Sequence, residues 1–420
     1  MSDLSFIEKV LDGVDVEWMA LGDVGEFIRG NGMQKKDFSN EGFPAIHYGQ
    51  IFTRYGLSAD KAFTYVPEQL AKKLKKAHKN DLLLATTSEN DKDVVKPLAW
   101  LGEETAISGD MMLFRHSQNV KYLAYYFQTT AFQTQKKKYI SGAKVRRVSK
   151  DSLARMLVPI PSPKDPVRSL EIQTEIVRIL DVFSTRTNEL LEEISNELAA
   201  RIKQLTHYKN KLLNFSENEV QWKSLGDACE YVDYRGKTPP KTTDGIFLVT
   251  AKNIRRGYID YSSSQEFISP KDYDLVMRRG IPKIGDVLIT TEAPCGFVAQ
   301  VDKEGIALAQ RVIKYRSKTA ELNNSFLKHY LLCEHFQAKL SRAATGSTVK
   351  GIKGSSLHKL TVPMPSPQQQ ERMIPTLDKL DMLVHSIAKA LPCEMKLRRQ
   401  QYEYYRDALL SFPKYEEVEV

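Results

Sequence analysis

Cysteine is scarce in this chain of 420 residues, and its few thiols are scattered. Cys229, Cys295, Cys333 and Cys393 are the four cysteines, and they form no CxxC pair. Zinc sites and disulfide frameworks depend on cysteines at characteristic spacings. The sequence therefore predicts neither, and it suits a reducing compartment.

Long apolar runs are also missing. No stretch approaches the ~20 apolar residues that a membrane-spanning helix needs, and the first residues show no basic region followed by an apolar run. We therefore expect no membrane span, no signal peptide and a cytoplasmic location. The composition is that of a globular protein, with 42% hydrophobic and 27% charged residues and a net charge of +9. A basic surface suits polyanionic partners such as nucleic acid.

Sequence motifs of nucleotide-dependent enzymes are absent as well. The chain has no Gly-x-x-x-x-Gly-Lys-Ser/Thr phosphate loop and no His/Cys/Asp grouping at metal-ligand spacing. The nearest approach to the Asn/Asp-Pro-Pro-aromatic signature of aminomethyltransferases is Thr238-Pro239-Pro240-Lys241. Both flanking residues are wrong, and the segment is typical of a turn. The sequence therefore predicts a protein without catalytic chemistry of its own.

An internal repeat is the most informative feature that is present. Val16–Asp23 recurs as Val220–Asp227, and Val158–Pro163 recurs as Val362–Pro367, each time 204 positions later. Between these ends the register mostly holds. The chain therefore contains two related domains of about 150 residues, a normal domain size. A protein with two similar halves most naturally binds a ligand that also has two halves.

A long helical pattern follows each repeat. The first spans roughly residues 171–213, with apolar residues mostly three and four positions apart and a heptad row at Leu191, Leu198, Leu205 and Leu212. This periodicity predicts an amphipathic helix ~60 Å long at 1.5 Å per residue. The second pattern matches the first at an offset of 197 positions. Two such apolar stripes would bury each other as an antiparallel coiled pair.

The second helical pattern contains two prolines. We expect Pro375 to lie in the opening turn and Pro392 to kink the helix or interrupt it locally. The reason is that an internal proline removes one backbone hydrogen bond and clashes with the preceding turn.

The globular repeats show mixed patterns. Asp81–Thr87 and Asp286–Thr291 predict buried strands, whereas Tyr122–Tyr139 and Ser325–Leu340 predict helices. The predicted fold class is α+β, with two pseudo-symmetric mixed α/β domains separated by two long helices that pair as an antiparallel coiled coil. The predicted divisions are residues 1–165 for the first domain, 166–215 for the central long helix or spacer, 216–368 for the second domain, 369–413 for the distal long helix and 414–420 for an acidic tail.

These features together resemble the specificity (S) subunit of Type I restriction-modification systems, over nearly the whole chain. The resemblance is carried by the openings Trp18-x-x-Leu21-Gly22-Asp23 and Trp222-x-x-Leu225-Gly226-Asp227, the two Pro-x-Pro-Ser-Pro closings, and the helix ends Lys203–Phe215 and Arg399–Phe412. The last segment is especially similar to the branch usually called IC.

The resemblance implies that each globular repeat is a target recognition domain reading one half of a bipartite, asymmetric site in double-stranded DNA. The helices would set the gap and dock two methyltransferase subunits, which methylate adenine at N6 with S-adenosylmethionine. Motor-endonuclease subunits, with ATP and Mg²⁺, would cut unmodified DNA. No cofactor is then expected in this chain. Two readers held a fixed distance apart fit only half-sites at a matching separation.

Other hypotheses stay open at the level of the sequence. One is an enzyme, either a nuclease or a fused methyltransferase, against which the missing motifs count. Another is a scaffold whose helix pair binds only protein. A specificity subunit could also serve a complex that methylates DNA without restricting it.

Two loops in each repeat carry side chains suited to base edges. The first covers residues 44–54 and 250–256, where Asn, Gln, Arg and Lys can pair with bases in the major groove. Its alternative is a strand end with solvated polar residues. The second covers residues 86–92 and 290–296, where hydroxyls can bond phosphates or bases and a carboxylate can accept from cytosine N4. Its alternative is a plain strand-to-turn connection.

A third loop, at residues 141–147 and 345–353, places glycine beside hydroxyls and basic side chains. Such a loop can bring backbone N–H groups close to phosphate, or it can be a flexible connector. Residues 29–32 and 234–238 form a further matched pair of candidate loops. The lysine runs at 72–76 and 136–138 are of the kind that usually forms a solvated face.

The predicted DNA-contacting residues of the first domain are Arg29, His47, Tyr48, Gln50, Arg54, Thr87, Ser88, Asn90, Lys92, Lys144, Arg146 and Arg147. Those of the second domain are Arg235, Lys237, Lys252, Asn253, Arg255, Arg256, Thr291, Glu292, Ser347, Lys350 and Lys353. The predicted partner-docking residues on the long helices are Tyr208, Lys211, Tyr402 and Tyr405. The tyrosines could instead fill the seam between the helices, although aromatic residues also favour interfaces.

Overall fold

The computed structural model describes residues 13–234, 240–347 and 349–412. The chain divides into two compact units. The first unit joins Met1–Glu193 to Glu394–Val420, and the second is Ile194–Cys393. The boundary falls inside both long helices, so each unit holds one globular domain and a segment of each helix.

The first globular domain is rich in short strands. They are β1 (Val16–Ala20), β2 (Gly25–Arg29), β3 (Phe43–Ile46), β4 (Ser58–Ala59), β5 (Thr64–Val66), β6 (Lys76–Ala77), β7 (Leu82–Ala85), β8 (Thr87–Ser88), β9 (Lys96–Trp100), β10 (Thr105–Ile107), β11 (Met111–His116), β12 (Arg146–Arg147) and β13 (Leu157–Pro161). Its helices are Leu21–Val24, Tyr48–Thr53, Glu68–Ala71, Val120–Tyr126, Thr130–Lys137 and Lys150–Ala154, with a 3-10 turn at Lys35–Asp37.

The second globular domain repeats this plan in a shorter form. Its strands are β14 (Gln221–Ser224), β15 (Cys229–Asp233), β16 (Ile246–Val249), β17 (Phe267–Ile268), β18 (Val287–Thr290), β19 (Val298–Gln300), β20 (Ala307–Leu308), β21 (Val312–Ser317) and β22 (Thr361–Met364). Its helices are Leu225–Ala228, Tyr273–Val276, Asn324–Leu332, Glu334–Ala343 and Gly354–Leu357, with a 3-10 turn at Pro270–Asp272.

The two sequence motifs that bracket each repeat pair with each other. In the first domain β1 and β13 are antiparallel, with Trp18 opposite Pro159. In the second, β14 and β22 are antiparallel, with Trp222 opposite Pro363. The opening and closing motifs of each repeat therefore form a two-stranded sheet, and the two domains pair these motifs in the same way.

Two larger sheets in each domain follow the same order. The sheet β2-β11-β7-β9-β4 of the first domain corresponds to β15-β21-β18-β19 of the second. The sheet β5-β3-β10-β6 corresponds to β17-β16-β20. The predicted strands lie at the centre of the larger sheets, and every residue of β7 and β18 is buried. The predicted α+β fold class with two mixed domains is confirmed.

The helices predicted at 122–139 and 325–340 are each broken in two. In the first domain the break lies at Thr129, whose hydroxyl accepts from the N–H of Phe132 and so begins a new helix. In the second domain Cys333 is extended, with φ −69° and ψ 153°. Capping by Thr129 therefore overrides the apolar periodicity in the first domain. Both predicted segments are helical, but each forms two helices with a short break between them.

The long helices are Pro166–Leu212 and Pro367–Leu409, called here the first and second long helix. Both prolines of the second lie inside an uninterrupted helix. Pro375 is the ninth residue rather than part of the opening turn, so that expectation was wrong. The helix also continues through Pro392, because the loss of one backbone hydrogen bond does not end a helix held by neighbouring packing.

Within each unit the helix segments are antiparallel. In the first unit Phe183 stacks on Tyr405 at a ring distance of 5.9 Å, and Leu180 shares a core with Leu409. In the second unit Lys209 contacts Asp381 at 2.6 Å. Leu213, just after the first long helix, shares a core with Leu377, which lies earlier in the second. Each globular domain packs its own helices against these segments in one continuous core.

Candidate nucleic-acid interface

Residues 141–147 close on themselves as a tight loop in the first domain. Ser141 and Arg147 exchange two backbone hydrogen bonds of 2.9 Å. Gly142 has a φ of +90°, and a Cβ there would lie 2.1 Å from the carbonyl oxygen of Val145. Glycine alone fits this backbone without strain. The loop therefore has a defined shape and is more than a connector.

The second domain builds the same loop 204 positions later. Thr345 and Gly351 exchange backbone hydrogen bonds of 2.8 and 2.9 Å. Gly346 has a φ of +111°, and a Cβ there would lie 2.2 Å from the carbonyl oxygen of Val349. Thr348, within this loop, lies outside the described residues. The fold thus fixes the loop, while the side chains that the loop carries differ between the domains.

The second and third loops are joined in both domains. In the first, β12 (Arg146–Arg147) pairs antiparallel with β8 (Thr87–Ser88). In the second, Glu292 bridges to Gly351, and the N–H of Ile352 donates to the carbonyl of Thr291 at 2.9 Å. Loops far apart in sequence therefore form one surface in each domain, called here its paired-loop surface. It consists of residues 86–92 with 141–147 in the first domain and of residues 290–296 with 345–353 in the second.

Positive charge on the paired-loop surface is of two kinds. Arg146 is held, because its guanidinium lies 2.8 Å from Asp91 and donates to the Gly142 carbonyl at 2.6 Å. Lys144 and Arg147 are exposed. The other exposed predicted residues on this surface are Asn90, Lys92, Ser347, Lys350 and Lys353, while Ser88, Thr291 and Glu292 are half-buried. This surface offers cations, amides and hydroxyls to a polyanion.

His47 and Gln50, predicted to contact DNA, instead cap the helix Tyr48–Thr53. The N–H of Gly49 donates to His47 Nδ1 at 3.2 Å, and the His47 N–H donates to Gln50 Oε1 at 2.9 Å. Both side chains are buried, at 7% and 8% exposure. Burial lowers the pKa of His47, and Lys35 acts in the same direction. These two residues are engaged inside the domain, so the structure does not favour them as base readers.

Asn253 and Thr87 are likewise engaged internally. Asn253 is fully buried and accepts from the N–H and hydroxyl of Thr250 at 2.9 and 2.8 Å. Its amide also donates to the carbonyl of Asp260 at 3.1 Å, so it organises a turn. Thr87 is buried, and its hydroxyl donates to Asp110 at 3.3 Å. The same chemistry that suits base edges has here been used to shape loops.

Other predicted residues remain at least partly accessible. Tyr48 and Arg255 are half-buried, and Arg29, Arg54, Lys252 and Arg256 are exposed. Arg255 lies 3.4 Å from Asp260. Arg256 lies 5.5 Å from the centre of the Phe297 ring. Arg235 and Lys237 lie outside the described residues.

Lys136 is a positioning residue that the lysine run concealed. It is buried, and its ammonium donates to the carbonyls of Lys92 and Val94 at 3.0 and 2.8 Å. Burial lowers the pKa of Lys136 to about 8. It therefore holds the second loop from beneath and is not on a solvated face. The repeat carried a signal of this, because the matching position 204 residues later is Leu340, an apolar residue.

The repeat offset of 204 positions does not match Asp110 with Arg311, and the sequence analysis did not single out either residue. The N–H of Thr86 donates to the carbonyl of Asp110 at 3.1 Å, and the N–H of Thr291 donates to that of Arg311 at 2.9 Å. These bonds make Asp110 and Arg311 equivalent. The offset between them is 201 positions rather than 204, so the repeat aligns Asp110 with the wrong residue.

A cleft of about 290 Å³ lies beside Arg311 in the second domain. It opens between the first and second loops. Its lining includes Lys241, Thr250, Lys252, Ala293 and Arg311. A concave site with three cations, bordered by Glu266, suits an electron-rich ligand edge.

The predicted docking tyrosines lie on the long helices, in two different settings. In the first unit a groove of about 210 Å³ is lined by Phe183, Leu190, Arg398, Tyr402 and Tyr405, among others. Tyr405 is 36% exposed and also stacks on Phe183. In the second unit Tyr208 is 50% exposed, and Lys211 is exposed. Tyr405 therefore packs against the neighbouring helix and is partly exposed at the same time, so it combines features of both predicted roles.

The described residues form neither a metal-binding cluster nor a membrane-spanning helix. Across the ranges 13–234, 240–347 and 349–412, no group of three or more His, Cys, Asp and Glu side chains could hold a metal ion. None of the helices in these ranges combines the length and apolar character of a membrane span.

A sequence profile of the Type I restriction modification DNA specificity domain matches this chain twice, over residues 13–200 and 217–396. The chain belongs to this family. Its two matches coincide with the two repeats, so each half of this specificity subunit is a copy of the family's domain. The predicted resemblance to a Type I specificity subunit is confirmed.

Two relatives match this specificity subunit along all or most of its length. The specificity subunit of the type I restriction enzyme EcoR124I/EcoR124II from Escherichia coli is 30% identical and covers 100% of both chains. The EcoprrI specificity subunit, also from Escherichia coli, is 28% identical over 93% of each chain.

Solved structures support the same fold. A chain from a study of complex assembly and conformational transition in a type I R-M system aligns with a TM-score of 0.72, at 16% identity, over 94% of this chain and 97% of its own. The HsdS subunit from Thermoanaerobacter tengcongensis aligns with a TM-score of 0.55, at 15% identity, over 94% and 96%.

Family membership establishes the broad role of this specificity subunit. It provides DNA specificity within a type I restriction-modification system, and the catalytic activities of such systems reside in partner subunits. The hypotheses of a nuclease, a fused methyltransferase or a protein-only scaffold are therefore not favoured.

Proposed function

We propose that each globular domain reads one half of a bipartite, asymmetric double-stranded DNA site through its paired-loop surface. The observation that carries this proposal is the repetition of one loop framework around different side chains. Ser141–Arg147 and Thr345–Gly351 close with the same backbone bonds and the same left-handed glycine. A shared frame with different side chains is what two readers of different half-sites require.

The side chains divide into two roles within this proposal. Lys144, Arg147, Lys350 and Lys353 are exposed at the glycine loops and neutralise phosphates, which fixes position without reading sequence. Base-edge readers come from the second and first loops and from the further loop of each domain. They are Arg29, Tyr48, Arg54, Ser88, Asn90 and Lys92 in the first domain, and Arg235, Lys237, Lys252, Arg255, Arg256, Thr291, Glu292 and Ser347 in the second.

The long helices have two tasks in the proposed complex. They set the gap between the half-sites, and they dock two methyltransferase subunits through Tyr208, Lys211, Tyr402 and Tyr405. The partial exposure of the stacked pair Phe183 and Tyr405 supports docking, because aromatic residues are enriched in interfaces. S-adenosylmethionine, ATP and Mg²⁺ then act in the methyltransferase and motor-endonuclease subunits, in the cytoplasm.

Methylome sequencing tests the proposal directly. Cells expressing this chain with its methyltransferase partner are compared with cells expressing the partner alone. The expected result is a new bipartite motif with one methyladenine in each half. No new motif, with both proteins present and folded, would contradict the proposal.

Salt dependence tests the phosphate contacts. We expect Lys144→Ala with Arg147→Ala to weaken binding to all sequences and to reduce the slope of log K against log salt by about 2, since each lost phosphate contact releases about one counterion fewer. Arg146→Ala is the matched control, because Asp91 already neutralises Arg146. A slope that does not change in the double variant would remove the glycine loop from the contact surface.

Insertion into the helices tests the spacing role. Four residues added at Glu193 and four at Cys393 lengthen both long helices by about 6 Å at 1.5 Å per residue. We expect the recognised gap to change while both half-sites stay the same. A control variant with four exposed residues replaced at the same places, and none added, should keep the original gap.

A further inference from the structure

One backbone position, the residue just before the central strands β11 and β21, differs in charge between the domains. Asp110 occupies it in the first domain and Arg311 in the second. The carbonyl of each accepts a hydrogen bond from the backbone N–H of the threonine that follows the neighbouring strand. The threonine hydroxyls, Thr86 and Thr291, repeat this contact at 3.2 Å in both domains. The framework is therefore identical, and the side chain is the variable part.

Arg311 is placed at a backbone cost. Its φ is +73°, in the left-handed region that a residue with a side chain rarely adopts. Glycine or asparagine would fit this backbone more easily. Non-glycine residues in this region cluster at functional sites. The presence of arginine therefore points to a use for the guanidinium itself.

An ion pair orients the guanidinium of Arg311, whose side chain is still partly exposed. Its Nε lies 3.2 Å from the Glu292 carboxylate, and its side chain is 52% exposed. Among the residues that the structure describes, Glu292 is the ion-pair partner of Arg311, and the contact is made at Nε. A guanidinium can present two parallel N–H donors, and such a pair matches the O6 and N7 acceptors of guanine.

The cleft beside Arg311 provides room for a base edge. It lies between the first and second loops, with Lys252 as a further cation in its lining. Lys241 also lines it, in an ion pair with Glu266 at 2.7 Å. The paired-loop surface borders it through Ala293. The preceding residue, Glu292, bridges to Gly351 of the glycine loop. Arg311 thus stands where the base-reading and phosphate-binding parts of the second domain meet.

Asp110 has the opposite character at the equivalent place. Its Oδ1 accepts from the Thr87 hydroxyl at 3.3 Å, which fixes the carboxylate on the paired-loop surface of the first domain. It also acts on His47 of the first loop by its charge. A carboxylate accepts hydrogen bonds and repels phosphate, so it fits an amino group in the groove, such as cytosine N4.

We propose that Arg311 reads a guanine in the half-site of the second domain, oriented by Glu292, and that Asp110 reads a cytosine amino group in the half-site of the first. This inference rests on the proposed function and makes it specific. It assigns the difference between the half-sites at one matched position to a reversal of charge.

Selection from DNA randomised in both half-sites tests the assignment. The intact chain in complex with its methyltransferase partner is used, and the selected DNA is sequenced. For Arg311→Ala we expect the preference for guanine at one position of one half-site to fall by about 5- to 150-fold. For Asp110→Asn we expect the change at one position of the opposite half-site. The unchanged half-site shows in each case that the variant is folded.

Two further variants sharpen the selection. Arg311→Lys keeps the charge but loses the paired donors, so it should also relax the guanine preference. Lys350→Ala is the matched control on the same domain, and it should weaken all sequences alike without changing the motif. A motif unchanged in Arg311→Ala and Arg311→Lys, or a loss spread evenly over all sequences, overturns the assignment while leaving the bipartite function intact. A wild-type complex that selects no bipartite site overturns both.

Discussion

The joint between globular domain and long helices is built at matching positions in the two units, yet from different chemistry. In the second unit His329 is fully buried, with Nε2 at 2.8 Å from Asp378 and Nδ1 at 3.2 Å from Asp381. Lys209 and Lys328 complete the cluster, at 2.6 Å from Asp381 and 3.1 Å from Asp378. Five charged or chargeable groups therefore meet at this joint.

The first unit has a simpler joint. Tyr125 stands at the place of His329, and its hydroxyl donates to Asp181 at 2.8 Å. Lys121 contacts the same carboxylate at 2.5 Å. Ser184 takes the place of Asp381, and Arg406 that of Lys209. One carboxylate is retained and the other is replaced by a hydroxyl.

The comparison shows that the fold demands a polar contact between the domain and the helix but does not dictate its charge. Asp181 and Asp378 are the constant members, and each receives a donor from the domain and a lysine. The variable members are His329 and Asp381 in the second unit and Tyr125 and Ser184 in the first. They determine how strongly the stability of each joint depends on pH. The two halves of the chain should therefore differ in stability under acid and on mutation.

The largest effect is expected from His329→Leu. This change removes the group between two carboxylates and leaves Asp381 partly buried with one partner fewer, which typically costs about 3 kcal/mol. Hydrogen exchange followed by mass spectrometry reports the two units separately and is the measurement of choice. Faster exchange should appear in residues 194–393 and not in the first domain. Equal protection in both units would contradict the assigned role of His329.

Acid should separate the units next. Burial alone would raise the pKa of Asp381, but contacts with His329 and Lys209 outweigh it and bring the pKa to about 2. Because this folded value lies below the usual 3.8, the contribution is complete above about pH 4 and is lost as pH falls towards 2. With a side chain that is 34% exposed, screening leaves about 1–2 kcal/mol. Ser184 cannot titrate, so Asp381→Ser should reduce the loss of exchange protection between pH 4 and lower pH. Part of the loss should remain, because the effect of burial on Asp378 is outweighed by Lys328 and His329, which lower its pKa.

Tyr125→Phe should have a smaller effect in the first unit. It removes one hydrogen bond to a carboxylate that keeps its lysine, and Asp181 is partly exposed, so we expect a loss of about 1 kcal/mol. Urea unfolding with hydrogen exchange as the local probe measures it. A loss as large as that in His329→Leu would show that the two joints are equivalent after all.

The lysines should matter least. Lys121→Ala and Lys328→Ala each break a partly exposed ion pair, for which about 0.5 kcal/mol is typical. Added salt should reduce both effects, because such pairs are screened. A loss above about 2 kcal/mol in either variant, measured by urea unfolding, would mean that the lysine stem is important for packing.

Much of this architecture follows from the sequence because it is repeated. The offset of 204 positions identified the strands β1 and β13 with their counterparts, and the glycines at 142 and 346 with theirs. Apolar spacing with a heptad row identified the first long helix, and a match at an offset of 197 positions identified the second. A recurring pattern averages out local ambiguity, which explains why the domain plan was predictable.

Individual residues were harder to predict for identifiable reasons. His47, Gln50 and Asn253 have the chemistry of base readers, but that chemistry also caps helices and turns, and only burial distinguishes the two. Arg311 was missed because loops of unequal length shift the register by three positions. Lys136 was hidden in a run of lysines, although its buried carbonyl contacts give it a distinct task.

The pairing of the opening and closing strands has a consequence for inheritance. Because Trp18 faces Pro159 and Trp222 faces Pro363, the chain enters and leaves each globular domain through adjacent strands. A genetic exchange with crossovers in the two strands that bracket one domain would replace all the proposed reading loops of that domain at once and leave the length of both long helices unchanged. A lineage could thus acquire a new target in a single recombination event, without passing through intermediates that read nothing.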